Sequence, residues 1–294
     1  MMNFKGVGVA LVTPFKHDKS VDTEALKKLV TFVVDGGVDY LVVMGTTAEN
    51  PVLNEEEKQS VIETALEANH KRVPVVLGIG GYDTAKVIKE IKKAEIYKGT
   101  DAILSVTPYY NKPNQTGLYE HFSAIAQSTD LPIILYNVPG RTGINMLAET
   151  TLKLAHQYKN IKAIKEASGS LDQIMYIVEH KPSHFQVVSG DDGITLPLIS
   201  VGVEGVISVV ANAIPALFSQ MVHHALSNKI EEARKMHYTL LEFCRLAFAE
   251  GNPTGIKNAL WHLGIIQNEL RLPLVPASAP LSQKIKNWIQ YANK

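Results

Sequence analysis

Short apolar runs rich in β-branched residues recur along the chain at Val7–Val12, Tyr40–Met44, Val73–Leu77, Ala102–Val106, Pro132–Tyr136, Ile161–Lys165, Phe185–Ser189 and Gly205–Val209. Each has strand length, and the segments between them carry apolar residues at helical spacing. In the first of those segments Leu26, Leu29, Val30 and Val33 fall on one helix face, with Asp22 placed to cap its start and Gly36-Gly37 to stop it. The second opens Asn54-Glu55-Glu56-Glu57, an Asn with a Glu three residues on and acids at the positive end of the helix dipole. Eight strands alternating with helices predict right-handed βαβ units closing into a (β/α)8 TIM barrel.

The pattern changes after Ala211. From Ile214 onward it is helical, interrupted only by Asn252-Pro253-Thr254-Gly255 and by Leu272-Pro273-Leu274-Val275-Pro276. The expected organisation is a catalytic barrel over residues 1–228 and a C-terminal helical extension over residues 229–294, with no low-complexity linker between them.

Composition narrows the class of partner. The 294 residues are 46% hydrophobic, enough for a large core, and 29 basic residues balance 29 acidic ones. A neutral balance gives no electrostatic footprint for nucleic acid or an anionic membrane and points to a small-molecule partner. No apolar run reaches the roughly 18 residues of a spanning helix, and Met1-Met2-Asn3-Phe4-Lys5-Gly6 leads straight into a strand, so a cytoplasmic protein is expected. The single Cys244, in Leu241-Glu242-Phe243-Cys244-Arg245-Leu246, reads as a helix-packing residue.

In such a barrel the chemistry sits at the carboxyl ends of the strands. The sixth run, Ile161-Lys162-Ala163-Ile164-Lys165, ends in a lysine, and alternation places Ile161, Ala163 and Lys165 on one face. A lysine held in an apolar site has its pKa lowered, and the neutral amine can form a Schiff base with a ketone. Alone, the stretch better describes an ordinary lysine whose ammonium reaches water. Other strand ends add Gly45-Thr46-Thr47-Ala48-Glu49, whose hydroxyls and amides suit a carboxylate, Thr107-Pro108-Tyr109-Tyr110, and Tyr136-Asn137-Val138-Pro139-Gly140-Arg141. Each has a plain reading as a turn or a packing ring. Their convergence on one rim favours a catalytic one.

These motifs, with Lys165-Glu166-Ala167, Ser189-Gly190-Asp191-Asp192 and Gly205-Val206-Ile207-Ser208, resemble the pyruvate-dependent lyase and aldolase family that contains dihydrodipicolinate synthase and N-acetylneuraminate lyase. The resemblance runs from Gly6 into the last helix. It implies a pyruvate imine on Lys165, Tyr136 as proton donor and acceptor, and a relay through Thr46 and Tyr110, the latter reaching a neighbouring subunit. By the same likeness Thr47, Gly190 and the backbone at Ile207 would bind pyruvate, and Arg141 the carboxylate of a second substrate. The implied reaction condenses pyruvate with L-aspartate-4-semialdehyde to 4-hydroxy-2,3,4,5-tetrahydrodipicolinate, on the diaminopimelate route to lysine, in a homotetramer of two dimers. No cofactor beyond the covalent imine is implied. Sugar-acid lyases of the family share Lys165 and Tyr136, so Arg141 and the doubled Tyr109-Tyr110 carry the choice of a small charged acceptor. A non-catalytic barrel is the alternative from another class.

The sequence departs from the family pattern at Ala48, where glycine is usual, and at Asn50. In lysine-inhibited relatives an interface pocket holds lysine; the matching positions here are Glu55, Lys58, Lys86 and Tyr82. A cationic Lys86 would repel the ammonium of lysine, so weak or absent feedback is expected. Gly78-Ile79-Gly80-Gly81 lacks the pattern of a dinucleotide loop, Asp191-Asp192 reads as a helix cap, and the scattered histidines lack metal-ligand spacing, so no metal is expected.

Overall fold

The computed structural model describes residues 3–292. Its strands are β1 (Gly6–Ala10), β2 (Tyr40–Val43), β3 (Val75–Gly78), β4 (Ala102–Val106), β5 (Ile133–Asn137), β6 (Ile161–Glu166), β7 (Gln186–Ser189) and β8 (Gly205–Ser208). All pairs are parallel, and β1 pairs with β8 to close an eight-stranded barrel in sequence order. Every strand lies within two residues of its apolar run. The helices are α1 (Thr23–Asp35), α2 (Glu55–Asn69), α3 (Thr84–Ala94), α4 (Gln115–Ser128), α5 (Pro139–Thr142), α6 (Ala148–Gln157), α7 (Leu171–His180), α8 (Thr195–Ser200), α9 (Pro215–Leu226), α10 (Ile230–Phe248), α11 (Thr254–His262) and α12 (Ala279–Ala292).

The caps form as their chemistry dictates. Asp22 accepts from the Ala25 amide at 3.0 Å. Asn54 and Glu57 bond each other's backbone amides reciprocally at 2.8 and 3.0 Å, starting α2.

Two apolar layers result. Inside the barrel pack Phe4, Tyr40, Val42, Leu104, Ile134, Ala163 and their neighbours, with Phe4 and Tyr40 edge to face at 5.9 Å. Gly8 makes room for this, since a Cβ there would lie 2.1 Å from the Tyr40 ring. The outer layer joins the strands' other faces to the helices and continues into the extension through Ile256, Leu260, Ile285 and Trp288. The extension therefore shares the barrel's core.

One expected face is corrected. The β5–β6 register slips between Ile133 and Ile134, pairing Ile133 with Ile161 but Ile134 with Ala163. The extra residue turns Ile161 into the outer layer while Ala163 points inward. Lys165 shares its face with Ala163 and not with Ile161.

Candidate active site

The register that follows the slip sets the site. Tyr136 pairs with Lys165 and Asn137 with Glu166 at adjoining strand ends. Alternation then sends the first pair into the barrel mouth and the second outward. Lys165 is 5% exposed, with its Nζ 4.4 Å from the centroid of the Tyr136 ring. Among the described residues no acid pairs with it. The outward pair locks the strand ends: Glu166 accepts from Asn137 Nδ2 at 3.1 Å, Gln173 Nε2 at 2.9 Å and the Ser168 amide at 2.8 Å. Burial still pushes the Glu166 carboxyl above the usual range, against the pull of those donors.

Six of the expected residues, Lys165, Tyr136, Thr46, Thr47, Arg141 and Gly190, line one cavity of about 400 Å³. Gly190 is there for a steric reason. A Cβ would stand 2.6 Å from Ala167 Cβ and 3.0 Å from Lys165 Cε, so only glycine lets β7 pass beneath the lysine stem. Arg141 stands on α5, which Pro139 opens immediately after β5. Its Nη2 donates to the Asn252 carbonyl at 3.4 Å.

Thr46, Thr47 and Ala48 form one turn of 3-10 helix. Ala48 is absent from the positive-φ positions, which here are Met44 and Glu49 with φ of 62° and 55°, so alanine in place of glycine brings no backbone strain. Thr47 is buried and its Oγ1 accepts from Asn252 Nδ2 at 3.0 Å.

Two expected residues stand apart. Ile207 is buried in the inner layer and its side chain lies outside the cavity lining. Tyr110 is 86% exposed, with φ of 68° and its ring 6.4 Å from that of Tyr82. It does not reach the cavity of its own chain. A second cavity of about 430 Å³ shares Thr46, Tyr136 and Arg141 and extends past Ile79 and Val106 to Tyr109.

The extension supplies residues that the motifs did not reveal. Leu241, Cys244, Arg245 and Phe248 of α10 and Asn252 after it line the lysine cavity. Asn252 lay in a stretch legible only as a helix break, and α10 showed only a helical period. The Cys244 thiol is pushed well up by burial and then by Asp192 and Asp191, which suits packing and not nucleophilic attack. Asp191 caps the turn after β7 by accepting from the Gly193 amide at 2.9 Å. Asp192 does something else: its buried Oδ2 accepts from the Val209 and Val210 amides at 3.0 and 3.2 Å, tying the end of β7 to the segment after β8. Among the described residues no group of three His, Cys, Asp or Glu side chains could hold a metal ion.

A second buried lysine offers a contrast. Lys257 on α11 has no exposed surface, and its Nζ is hydrogen-bonded to Glu49 and, at 2.9 Å, to the Glu269 carbonyl. Burial pushes it down to about 8 against the attraction of Glu49. Its nitrogen is fully engaged, whereas that of Lys165 faces open volume.

Among the positions matched to the lysine pocket of inhibited relatives, Glu55 is bonded to Lys58 at 3.1 Å and to Lys93 at 3.0 Å. These side chains line a small cavity of about 150 Å³. Lys86 is exposed, 3.8 Å from Asp83, and Tyr82 packs edge to face on Tyr109 at 5.2 Å.

A model of the dihydrodipicolinate synthetase family matches residues 3–292. Over 289 residues the chain is 53% identical to the 4-hydroxy-tetrahydrodipicolinate synthase of Parabacteroides distasonis, covering 98% of this chain and 97% of that one. It superposes on the crystal structure of dihydrodipicolinate synthase from Thermotoga maritima with a TM-score of 0.96 at 42% identity, covering 99% of each chain. It is similar also to the structure of the Cyanidioschyzon merolae enzyme with lysine bound, with a TM-score of 0.94 at 39% identity over 99% of this chain and 98% of that one.

Proposed function

The chain belongs to the dihydrodipicolinate synthetase family, and on that premise we propose that it condenses pyruvate with L-aspartate-4-semialdehyde to 4-hydroxy-2,3,4,5-tetrahydrodipicolinate through an imine on Lys165. The observation that carries this reading is a buried lysine at a strand end, without an acid partner among the described residues, against the Tyr136 ring and open to the cavity. The Lys165 amine adds to the ketone carbon of pyruvate and water leaves. The protonated imine draws electrons from the methyl group, which gives up a proton to become an enamine carbon. That carbon attacks the aldehyde, and the amino group of the second substrate then displaces Lys165 and closes the ring. The imine is the electron sink, so no cofactor enters these steps.

Protons move at each stage. Tyr136, whose ring centroid lies 4.4 Å from Nζ, would carry them, with Thr46 on the wall of the same cavity. A phenol with a reference pKa near 10 is a weak base alone, so a hydroxyl chain must return its proton. Tyr110 would complete that chain from a neighbouring subunit, which makes a dimer the smallest working unit and a tetramer of two dimers the expected assembly. Thr47 and the backbone around Gly190 and Ile207 would hold the pyruvate carboxylate, and the planar fork of Arg141 the carboxylate of the aldehyde. A reducing cytoplasm suits a chain whose one cysteine is buried and free. Lysine feedback should be weak, because Glu55 is already paired with two lysines and Lys86 adds a third positive charge.

The test offers the purified protein pyruvate with either aspartate semialdehyde or N-acetylmannosamine, with Lys165→Ala as control and with added lysine in a parallel series. Rapid product formation with the semialdehyde alone, lost in the variant and little changed by lysine, is the expected result. Turnover with the sugar alone would overturn the reading of Arg141, and turnover by the variant would overturn the imine.

A further inference from the structure

We infer that the C-terminal extension positions the pyruvate-binding threonine turn, holding it at one end through Asn252, which precedes α11, and Thr47, and at the other through the buried pair of Lys257 on α11 and Glu49. The inference rests on the pyruvate reading above and assigns a task to Lys257 and Glu49, neither of which lines the lysine cavity.

The turn is a single loop of 3-10 helix, Thr46–Ala48, and too short to fix its own hydroxyls. Its N-terminal half is met by Asn252 Nδ2, which donates to Thr47 Oγ1 at 3.0 Å. Its C-terminal end is Glu49, held in the left-handed region at φ 55°, a conformation that a side-chain-bearing residue keeps only when its surroundings insist. Those surroundings are specific. The Glu49 carboxylate receives Lys257 Nζ on one oxygen and the Arg271 amide at 3.1 Å on the other. Lys257 also donates to the Glu269 carbonyl at 2.9 Å and lies 4.1 Å from the Phe15 ring centroid.

The platform behind these contacts is rigid. Thr254–Leu260 of α11 is buried throughout, and a Cβ at Gly255 would fall 2.4 Å from the Ala247 carbonyl, so α11 lies directly on the backbone of α10. Helix α10 in turn lines the lysine cavity through Leu241, Cys244 and Phe248. The extension thus fixes the threonine turn relative to Lys165 without contacting the reacting atoms.

Stability alone is a poor reason for such a pair. Removing two charges from water is costly, and a well-packed apolar pair of similar volume often serves a core better. What an apolar pair cannot do is fix the direction of a turn through two hydrogen bonds on one carboxylate. A displaced carboxylate site weakens pyruvate capture more than capture of the aldehyde, whose carboxylate is met by Arg141 on α5.

The experiment compares wild type, Lys257→Met, Glu49→Gln and the double variant in three measurements: melting temperature, KM for each substrate, and the pyruvate concentration that half-saturates borohydride-trapped adduct. Each single variant leaves one buried charge of the pair without its counter-charge and should melt lower. The double variant leaves neither charge of the pair and should recover most of that loss. In all three variants the KM for pyruvate and the half-saturating pyruvate concentration should rise about tenfold or more, with a clearly smaller change in the KM for the aldehyde. Wild-type pyruvate values in the double variant would overturn the inference and leave the pair a packing feature, as would an equal rise in both KM values. Absence of adduct in the wild type would overturn the imine reading itself, and the inference with it.

Discussion

Lys165, the proposed nucleophile, and Lys257, a structural cation, differ in their partners at nearly equal burial. Both are enclosed, yet one nitrogen faces a cavity and a tyrosine ring while the other is spent on a carboxylate and a carbonyl. Partnering, not burial, separates them. Asp192 is the other enclosed charge of consequence. Burial pushes its carboxyl up to about 6 from an ordinary value of 3.8, against the Val209 and Val210 amides that favour the anion. The folded protein therefore keeps this proton until about pH 6, whereas the unfolded chain releases it near pH 4. Between those values the folded state binds more protons, so this group's stabilising contribution is complete at lower pH and is lost as pH rises through about 6. The shift corresponds to roughly 3 kcal/mol. Asp192→Asn should remove that slope: denaturant midpoints of wild type, measured from pH 4 to 7, should fall relative to those of the variant, and parallel curves would contradict the assignment. At this scale the sequence revealed Lys165, Tyr136 and the threonines because strand ends are legible from alternation. It did not reveal the partners of Asp192, which are 17 and 18 residues away and joined to it only by barrel closure.

At the scale of elements, helix starts were legible because caps are local: Asp22 and Asn54 bond amides three residues on. The face of Ile161 was not, because the slip in β6 depends on pairing with β5. The contribution of α10 and α11 was hidden for the same reason. An amphipathic helix announces that it packs, not which loop it touches, and Asn252 meets Thr47 across 205 positions. One close fit at the site lies just past the ends of β7 and β6, at Gly190. Gly190→Ala would press a methyl group against Ala167 and the Lys165 stem and displace the amine. The expected result is a loss of about a hundredfold in kcat/KM, the scale of a misplacement near 1 Å. The far-ultraviolet circular dichroism should stay unchanged; near-normal activity would show that the stem has room to yield.

The whole molecule is a barrel whose chemistry is divided among strand ends while its extension closes one wall of the site. Lys165 and Tyr136 come from neighbouring strands, Thr46 and Thr47 from the turn after β2, Arg141 from α5 and Asn252 from the extension. Of the two expected participants outside the lysine cavity, Ile207 is buried in the inner layer, whereas Tyr110 is exposed and turned away. The fold class was legible because eight strands with intervening helices leave few ways to close a parallel sheet. The central claim is that Lys165 forms the imine, and the direct measurement is peptide mapping after borohydride reduction in the presence of pyruvate. A reduced pyruvyl adduct confined to the peptide containing Lys165, and absent from Lys165→Ala, is the predicted result. An adduct on the Lys257 peptide, or one that persists in Lys165→Ala, would contradict it.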